Sequence, residues 1–307
     1  HLFNLSRPAD HLTHVAASGL PYLISTIYLD YSGYDTRGRS KLAGQIFRLT
    51  GKYRAEYLKT LFRSARGQDR MISAGYMLGH RRSMRKLLQG ASMILPNSTS
   101  EYSRICLDFN LNKDFSIIPN GVDPAIFNVQ KDVERRNDQV LCVGMIYGLK
   151  NQHRLIHATK QLGVKLIIIG KSPPNHRKYY SFCRSIAHNH VEFLGFLPQR
   201  QLARYYAGAK VHALPSWFET TGLTSLEAGA MGCNLVVGTG GDTHEYFGNH
   251  ASFCQAEDDK ALLSALEREL NRPSSLSFRD HILSNYTWEA AAEKTKSAYL
   301  HTLGIEE

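Results

Sequence analysis

Short apolar runs alternate with amphipathic segments through the second half of the chain. The runs have strand length and are bounded by glycine or proline, whereas apolar residues between them recur every three or four positions, as on one helix face. The runs that predict strands lie at residues 140–144, 165–170, 191–194, 211–214 and 234–237. The segments that predict helices lie at residues 149–162, 176–187, 198–207 and 222–231. Such alternation is typical of a parallel sheet with helices on both faces.

The first part of the chain has the same α/β character but is less regular. Strands are predicted at residues 1–5, 22–28, 93–96 and 115–118, and a helix at residues 9–18. Ser98 and Glu101 have the spacing of a capping box, which predicts a further helix start. Because the chain opens as if at the end of a strand, we expect residues to be missing before His1.

A length of 307 residues favours two domains over one. The first is predicted over residues 1–127, as an incomplete domain with a basic helical insertion at residues 37–90. The second is predicted over residues 128–285. A last helix, within residues 286–307, is predicted to cross back to the first domain.

Several loops of the second domain are predicted to open on one edge of its sheet. Gly144, Gly170, Gly195 and Pro215 each follow a predicted strand. Since the carboxyl ends of parallel strands share one edge, and ligands of such sheets bind there, these loops are candidate binding loops. Lys150 and Glu219 lie just after two of the strands.

The segment at residues 216–230 carries the strongest chemical signal in the chain. Glu219 and Glu227 are eight positions apart, and Thr221 and Gly222 between them fit a helix start. Free N–H groups and the positive end of the helix dipole favour a bound phosphate there. The segment therefore offers a loop carboxylate, an anion cradle and a helix carboxylate, which suits a phosphate-linked sugar. The alternative is an ordinary strand, loop and helix with two solvated glutamates.

Positive charge is concentrated in one window of the sequence. The chain has a net charge of +10, and residues 37–86 alone contain fourteen Lys and Arg against two acidic residues, interleaved with aromatic and aliphatic side chains. That composition suits an anionic membrane surface. A solvated helical face and a nucleic-acid contact are the alternatives, and no nucleic-acid motif accompanies the window.

Cysteine usage and hydropathy favour a cytoplasmic protein. The five cysteines are scattered and form neither a CxxC pair nor a Cys/His cluster with zinc spacing. No apolar run approaches the length of a membrane span. We therefore expect a cytoplasmic protein that the basic window holds peripherally on the inner face of the membrane, with no metal site.

An ordered set of motifs extends over nearly all of residues 90–302. Its pieces are Ile118 to Asp123, Val143-Gly144 with Lys150-Asn151, Ile168 to Gly170, Phe193 to Phe196, the pair Glu219 and Glu227, Gly240-Gly241 leading to His244 to Phe247, and Tyr286 to Trp288. In this order the motifs resemble family 4 retaining glycosyltransferases of GT-B architecture, of the type that builds bacterial surface polysaccharides.

The resemblance implies a fold and an activity. Enzymes of this architecture have two facing Rossmann-like domains with parallel sheets, and the second domain holds most of the donor. The implied reaction, of hexosyltransferase type, moves a sugar from a GDP- or UDP-sugar to a lipid-linked or oligosaccharide acceptor with retained anomeric configuration. No cofactor is implied, since the nucleotide sugar is a substrate, and no Asp-x-Asp motif suggests a metal. A catalytically inactive nucleotide-sugar-binding protein and a nucleic-acid-binding protein are the alternatives.

The resemblance also implies roles for individual residues. Glu219 would hold the sugar and stabilise the positive charge at its anomeric carbon, and is the implied catalytic residue. Lys150 would contact the donor phosphates, and Glu227 the ribose hydroxyls. The remaining implied donor contacts come from Gly222, Leu223 and Thr221 at the diphosphate, Gly195 and Phe196 at the base, and the post-strand turns at Gly144 and Gly170.

The sequence departs from the family pattern in two respects. The family usually has an arginine shortly after the position of Gly144, and Arg154 is the nearest candidate to replace it. The family often has a histidine after a strand of the first domain, and the nearest equivalent in this sequence is Tyr28. His244 and Glu245 lie in a region that faces the donor cleft in members of the family. A loop with a purely structural role explains these two residues equally well.

Overall fold

Two α/β units make up the chain in the computed structural model. The model describes residues 1–39, Phe47, Tyr53, 78–128 and 133–305. Unit 1 consists of His1–Pro119 with Glu293–Glu307, and unit 2 of Asn120–Ala292. None of the helices in these described ranges combines the length and apolar content that a membrane span requires.

Unit 1 is built on a small parallel sheet in the strand order β1-β2-β3. Its elements are β1 (Leu2–Phe3), α1 (Pro8–Ser18), β2 (Leu23–Ser25), a π-helical turn (Tyr34–Gly38), α2 (His80–Gly90), β3 (Met93–Leu95) and α3 (Thr99–Phe109). Leu2 pairs with Ile24, and Ile24 with Ile94. Ile24 and Ile94 are fully buried in one cluster with Leu87, Leu88 and Ile105 of the helices.

The helix start predicted from Ser98 and Glu101 is confirmed, with Ser98 as the N-cap of α3. The Ser98 hydroxyl accepts the Glu101 N–H at 2.9 Å. The Glu101 carboxylate is completely buried and accepts the Asn97 N–H at 2.9 Å and the Tyr28 N–H at 2.7 Å. The Thr26 hydroxyl donates to the same carboxylate. Since a buried carboxylate is tolerated only when it is hydrogen-bonded, Glu101 fixes the chain that leaves β2.

Unit 2 contains a six-stranded sheet in which every neighbouring pair is parallel. Its elements are β4 (Arg136–Val143), a 3-10 turn (Gly148–Lys150), α4 (Gln152–Leu162), β5 (Lys165–Ile169), a 3-10 turn (Pro174–His176), α5 (Arg177–Ile186), β6 (Val191–Gly195), α6 (Gln199–Gly208), β7 (Ala209–Leu214), α7 (Leu223–Ala230), β8 (Asn234–Gly238), α8 (Thr243–Phe247), a 3-10 turn (Gly248–His250), β9 (Ala251–Cys254), α9 (Asp259–Asn271) and α10 (Ser277–Asn285). The last helix, α11 (Trp288–Leu303), begins in unit 2 and ends in unit 1.

The strand order of this sheet is β6-β5-β4-β7-β8-β9. It is the doubly wound order, in which the direction of strand addition reverses between β4 and β7. Both faces are covered, because alternate residues of β5 enter different cores. Ile167 and Ile169 pack in one cluster, and Leu166 and Ile168 pack in the other. The predicted α/β fold with parallel sheets is confirmed.

Two motifs far apart in sequence meet beside this sheet. Val122 and Thr287 form an isolated parallel bridge, in which the Val122 N–H donates to Tyr286 O at 2.8 Å. Val122 and Phe127 are buried in a core cluster of unit 2. For that reason residues 120–127 belong with unit 2 in the structure, and the predicted boundary after residue 127 differs from the observed division.

Other elements differ from their predicted form. The segment at 115–118 is not a regular strand, although it lies beside β3 with an isolated bridge between Phe115 and Ile94 and a hydrogen bond from the Ile118 N–H to Pro96 O at 2.9 Å. Helix α4 begins at Gln152, three residues later than predicted, because a 3-10 turn precedes it. Strand β9 and helix α9 had no predicted counterpart. Most of the basic insertion predicted at 37–90 lies outside the described residues.

Gly170, at the end of β5, permits a backbone contact at the edge of the sheet. A Cβ atom there would lie 1.9 Å from Gly144 O, and its φ of +152° is strained for other residues. We expect Gly170→Ala to lower the free energy of unfolding by at least about 2 kcal/mol. Urea unfolding measures this change.

Gly208→Ala is the matched control, because a Cβ atom at Gly208 would make only ordinary contacts, the nearest at 3.7 Å. This control should be neutral or slightly stabilising. Equal unfolding free energies for the two variants would show that the approach of Gly170 to Gly144 is not a constraint.

Candidate active site

The candidate site lies where the strand order reverses. Lys150 is in the turn after β4, and Glu219 is in the loop after β7. These two strands are neighbours in the sheet, with Leu141 paired to His212. Loops that leave neighbouring strands at a reversal point diverge to opposite faces and leave a crevice between them.

The side chains of Lys150 and Glu219 form an ion pair across this crevice. The Lys150 Nζ donates to Glu219 Oε1, and the two side chains are only 15% and 12% exposed. Burial lowers the pKa of Lys150, but the Glu219 carboxylate and Tyr147 together raise that pKa by more, so the net shift is upward. The lysine is therefore a permanent cation, held in a partly dehydrated position.

Backbone hydrogen bonds fix the loop of Lys150 to the loop of Glu219. The Trp217 N–H donates to Leu149 O at 2.9 Å. The buried Asn151 amide donates to Pro215 O at 3.2 Å and to Ala256 O at 2.7 Å. Lys150 belongs to a 3-10 turn rather than to the first turn of α4. Hydrogen bonds between the two loops therefore hold Lys150 and Glu219 next to each other.

The glycine pair Gly240-Gly241 supports Glu219 from the other side. The Glu219 N–H donates to Gly240 O at 3.0 Å, and the Asp242 N–H donates to Glu219 O at 2.9 Å. A Cβ atom at Gly241 would lie 1.9 Å from Glu219 O, and the φ of Gly241 is +92°. This motif therefore positions the Glu219 backbone through close contact.

Helix α7 begins at Leu223, four residues after Glu219. Gly222, with φ +72°, is its N-cap and has no capping side chain. The N–H groups of Leu223 and Thr224, in the first turn, have no carbonyl partner within the helix. Thr221 is buried, and its hydroxyl accepts a hydrogen bond from the Asn120 amide at 2.9 Å. The Thr221 side chain thus anchors the helix start to the turn at Asn120.

Glu227 is a buried carboxylate one turn further along α7. Its Oε2 accepts the Tyr206 hydroxyl at 2.9 Å and its Oε1 accepts the Gln199 amide at 3.3 Å. Burial raises the pKa of Glu227 to about 7, although the hydrogen bonds from Tyr206 and Gln199 act in the opposite direction. Tyr206 and Gln199 were not singled out from the sequence, because nothing in their spacing relates them to Glu227.

The post-strand turns form the edge of the sheet beside the pair. The Gly144 N–H donates to Ile169 O at 2.9 Å, and the Gly170 N–H donates to Gly195 O at 2.7 Å. Phe196 is 63% exposed, and the Lys171 Nζ lies 5.1 Å from the centre of its ring. Lys171 is a second cation at this edge that the sequence analysis missed, and its position directly after Gly170 was the available signal.

Three residues weighed from the sequence have other contacts. The Arg154 guanidinium contacts the Asp259 carboxylate at 2.5 Å and Glu257 O at 3.0 Å, so the structure does not support Arg154 as a substitute phosphate ligand. His244 stacks on Phe253 with ring centres 3.8 Å apart. Tyr28 belongs to unit 1, where its hydroxyl contacts Tyr53 and Asp108.

The described residues contain no group of three or more His, Cys, Asp or Glu side chains able to hold a metal ion. The positive groups of the site are instead Lys150 and the first amides of α7. A lysine and a helix N-terminus are both anion ligands, and the two carboxylates beside them can accept hydroxyl groups. The arrangement can hold a molecule that is anionic in one part and rich in hydroxyls on either side.

Comparison with known proteins identifies the domain that carries this site. Residues 137–272 match the family model for glycosyl transferases group 1. Unit 2 contains a glycosyl transferases group 1 domain. An uncharacterized glycosyltransferase of Methanocaldococcus jannaschii is 26% identical to the chain over 235 residues, which cover 67% of this chain and 59% of that protein. The chain therefore spans less than two thirds of the length of this curated relative.

Solved structures resemble a larger part of the chain. Sucrose-phosphate synthase from Thermosynechococcus elongatus superposes with a TM-score of 0.67 at 20% identity, covering 98% of this chain and 78% of that one. HepE of Anabaena, in complex with UDP and glucose, superposes with a TM-score of 0.62 at 14% identity, covering 99% and 98%. The fold is therefore GT-B, as the sequence motifs implied.

The buried glutamate of the glycosyltransferase domain makes stability depend on pH. The pKa of Glu227 is about 7 in the folded chain against an ordinary value of 4.5, so between these values the folded state binds the proton more tightly. The stabilisation is fully present below about pH 4.5 and is lost as pH rises through about 7. Over this pH range the free energy of unfolding of the wild type should fall by about 3 kcal/mol relative to that of Glu227→Gln.

Urea unfolding of both proteins at several pH values measures that difference. Glu267→Gln is the control, because Glu267 is an exposed glutamate on another helix of the same unit. The free energy of unfolding of this control should change with pH as that of the wild type does. If the free energy of unfolding of Glu227→Gln also followed the wild type at every pH, the raised pKa of Glu227 would be contradicted.

Proposed function

We propose that the protein is a retaining glycosyltransferase that uses a nucleotide diphosphate sugar as donor. The observation that carries this proposal is the Lys150–Glu219 pair at the strand-order reversal, next to the open amides of α7. A cation beside a helix start suits a diphosphate, and a carboxylate beside both suits the sugar joined to it. The match to the glycosyl transferases group 1 family supports the same reaction class.

In the proposed complex, Lys150 and the amides of Gly222 and Leu223 bind the diphosphate. As the bond from the anomeric carbon to the phosphate oxygen breaks, negative charge accumulates on the diphosphate and positive charge on the sugar. Lys150 and the amides stabilise the first charge, and Glu219 stabilises the second and holds the sugar hydroxyls. The new bond forms to an acceptor hydroxyl on the same face of the sugar, which retains the configuration, and the proton of that hydroxyl passes to the departing diphosphate.

The ion pair in the free protein has a role in this scheme. Lys150 and Glu219 neutralise each other, so neither side chain is an uncompensated buried charge before the donor arrives. Donor binding gives Lys150 a phosphate partner and leaves Glu219 beside the reacting carbon. No metal ion or cofactor is proposed, because the lysine and the helix amides supply the positive charge.

The nucleoside is assigned to the remaining donor residues. Glu227 accepts the ribose hydroxyls in its ionised form, with Tyr206 and Gln199 fixing the carboxylate. The base lies beside Gly195 and the exposed ring of Phe196. The turns at Gly144 and Gly170 form the edge on which the donor rests. HepE of Anabaena was solved with UDP and glucose, which supports UDP as the first donor to test, with GDP as the alternative.

The proposal includes the class of acceptor and the cellular location. We assign a lipid-linked or oligosaccharide acceptor and a place in surface polysaccharide synthesis. We also assign a cytoplasmic location, with the basic insertion at 37–90 against anionic lipid. An inactive nucleotide-sugar-binding protein remains the competing function, because no arginine joins Lys150 among the contacts described at the pair.

Replacing Glu219 tests the proposed catalytic role. We expect Glu219→Gln to lower the rate of sugar transfer by at least about 100-fold, because the amide cannot stabilise a cationic sugar. The affinity for UDP or GDP should change little. Transfer is measured as nucleotide diphosphate release in the presence of acceptor, and binding by isothermal titration.

Glu192→Gln is the matched control, because Glu192 pairs with Lys165 on the same sheet but both side chains are substantially exposed. That variant should keep the wild-type rate. If Glu219→Gln also kept it, the catalytic assignment would fail. If the wild type bound nucleotide but released no diphosphate with any donor and acceptor, the inactive binding protein would be the better description.

Replacing Lys150 tests the phosphate site separately. We expect Lys150→Gln to weaken UDP or GDP binding by about 1.5–3 kcal/mol and to leave the weaker binding of the free nucleoside unchanged. Lys165→Gln, from the exposed pair, should bind like the wild type. An equal loss for the nucleoside and the diphosphate would place the phosphates elsewhere.

A further inference from the structure

An exposed aromatic ring and a cation lie together at the edge of the unit 2 sheet, on the β5 side of the ion pair. Phe196 comes directly after β6 and is 63% exposed, and the Lys171 Nζ lies 5.1 Å from the centre of its ring. Strands β5 and β6 are neighbours, so the two residues follow adjacent strands. An exposed ring at the binding edge of a parallel sheet offers a surface on which a planar base can stack.

Main-chain hydrogen bonds fix the turns that carry this ring and this cation. The Gly170 N–H donates to Gly195 O at 2.7 Å, which joins the turn after β5 to the turn after β6. The Ile146 N–H donates to Lys171 O at 2.9 Å, which joins the turn after β5 to the loop after β4. Since Lys150 belongs to that loop, main-chain contacts set the position of Lys171 relative to the ion pair.

The turn between β6 and the ring leaves space at this edge. A Cβ atom at Gly195 would meet no described atom within 4 Å beyond its chain neighbours, and the φ of Gly195 is +70°. That φ is one that glycine adopts without strain. The side of the turn toward which the Cβ atom would point is therefore open to a ligand that approaches Phe196.

The hydrogen-bond donors of Lys171 are available to a ligand. Among the residues that the structure describes, its ammonium group makes no ion pair and no hydrogen bond, only the contact with the ring of Phe196. A cation on an aromatic face at an exposed site is held weakly, so a base that stacks on Phe196 can move the ammonium to the rim of the base. An ammonium group has three donors and no acceptor, and it therefore pairs only with acceptor atoms there.

We propose that Lys171 selects the base of the donor, favouring a base with a carbonyl oxygen where adenine and cytosine carry an amino group. The inference rests on the proposed function and deepens it by naming the residue that reads the base. Uracil offers O4 as an acceptor and guanine offers O6 and N7, whereas adenine and cytosine have amino donors at the corresponding positions. An ammonium group that faces an amino group leaves donors unpaired, which is costly. Phe196 stacks on every base alike.

Two pairs of diphosphates differ at this group and share the same ring system: UDP with CDP, and inosine diphosphate with ADP. In isothermal titration, wild-type protein should bind the carbonyl member of each pair at least about fivefold more tightly. Lys171→Met keeps an unbranched apolar chain against Phe196 but removes the donors, so it should bring both affinity ratios to within about twofold of one. Lys171→Glu presents only acceptors, so it should reverse the preference toward CDP and ADP.

Lys165→Met is the matched control, because Lys165 is at the opposite end of β5 and pairs there with Glu192. This variant should keep the wild-type affinity ratios. Phe196→Leu should weaken the binding of all four diphosphates by a similar factor and leave the ratios unchanged, because stacking on Phe196 is common to all four bases. Urea unfolding should give Lys171→Met the stability of the wild type, since Lys171 is exposed.

The same titrations separate this inference from the proposed function. If none of the four diphosphates bound to the wild type, the proposed function itself would fail. If they bound but the ratios were the same in the wild type, Lys171→Met and Lys171→Glu, base selection by Lys171 alone would fail. An equal loss of affinity for all four in Lys171→Met would assign Lys171 to the phosphates and would also overturn the inference.

Discussion

The ion pair between Lys150 and Glu219 is the interaction on which the site in unit 2 depends. Two charges removed from most of their water are costly unless each has a well-placed partner. The sheet meets this condition by its topology, because the loops after β4 and β7 leave neighbouring strands on either side of the reversal. Each residue therefore makes the buried position of the other tolerable, and a loop shifted by a few ångströms would leave both unpaired.

Main-chain contacts make that placement robust. Side chains on solvent-facing loops have rotational freedom, but here the supporting contacts run from backbone to backbone. The Trp217 N–H donates to Leu149 O in the turn that contains Lys150, and Gly240 and Gly241 lie directly against Glu219. Glycine at these positions removes the Cβ atoms that would hold the segments apart. The charged pair thus rests on a framework whose geometry is set by the chain itself.

Sequence reasoning predicted the parts of this arrangement that follow from periodicity. The alternation of apolar runs and amphipathic segments predicted the parallel sheet, and the position of Lys150 and Glu219 after two strands predicted a shared edge. It could not predict that the two side chains touch, because strand order is a long-range property. The same limit explains why Tyr206 was missed as the partner of Glu227, and why the domain boundary was drawn after Phe127 rather than before Asn120.

Short or polar elements were the other source of error. Strand β9 has only four residues, with no apolar run to signal it. Glu101 was recognised as half of a capping box, yet its side chain reaches past the helix to Thr26 and Tyr28, residues more than seventy positions away.

The thiols of this chain differ sharply in accessibility. All five cysteines lie in the described part of the chain and all are free, with Cys142, Cys183, Cys233 and Cys254 buried and only Cys106 partly exposed. Burial raises the pKa of each of the four buried thiols, which suppresses the reactive thiolate. A maleimide dye should consequently attach to a single site, on α3 two residues before Asp108. The native protein thus carries a selective position for a fluorescent reporter, without any engineered substitution.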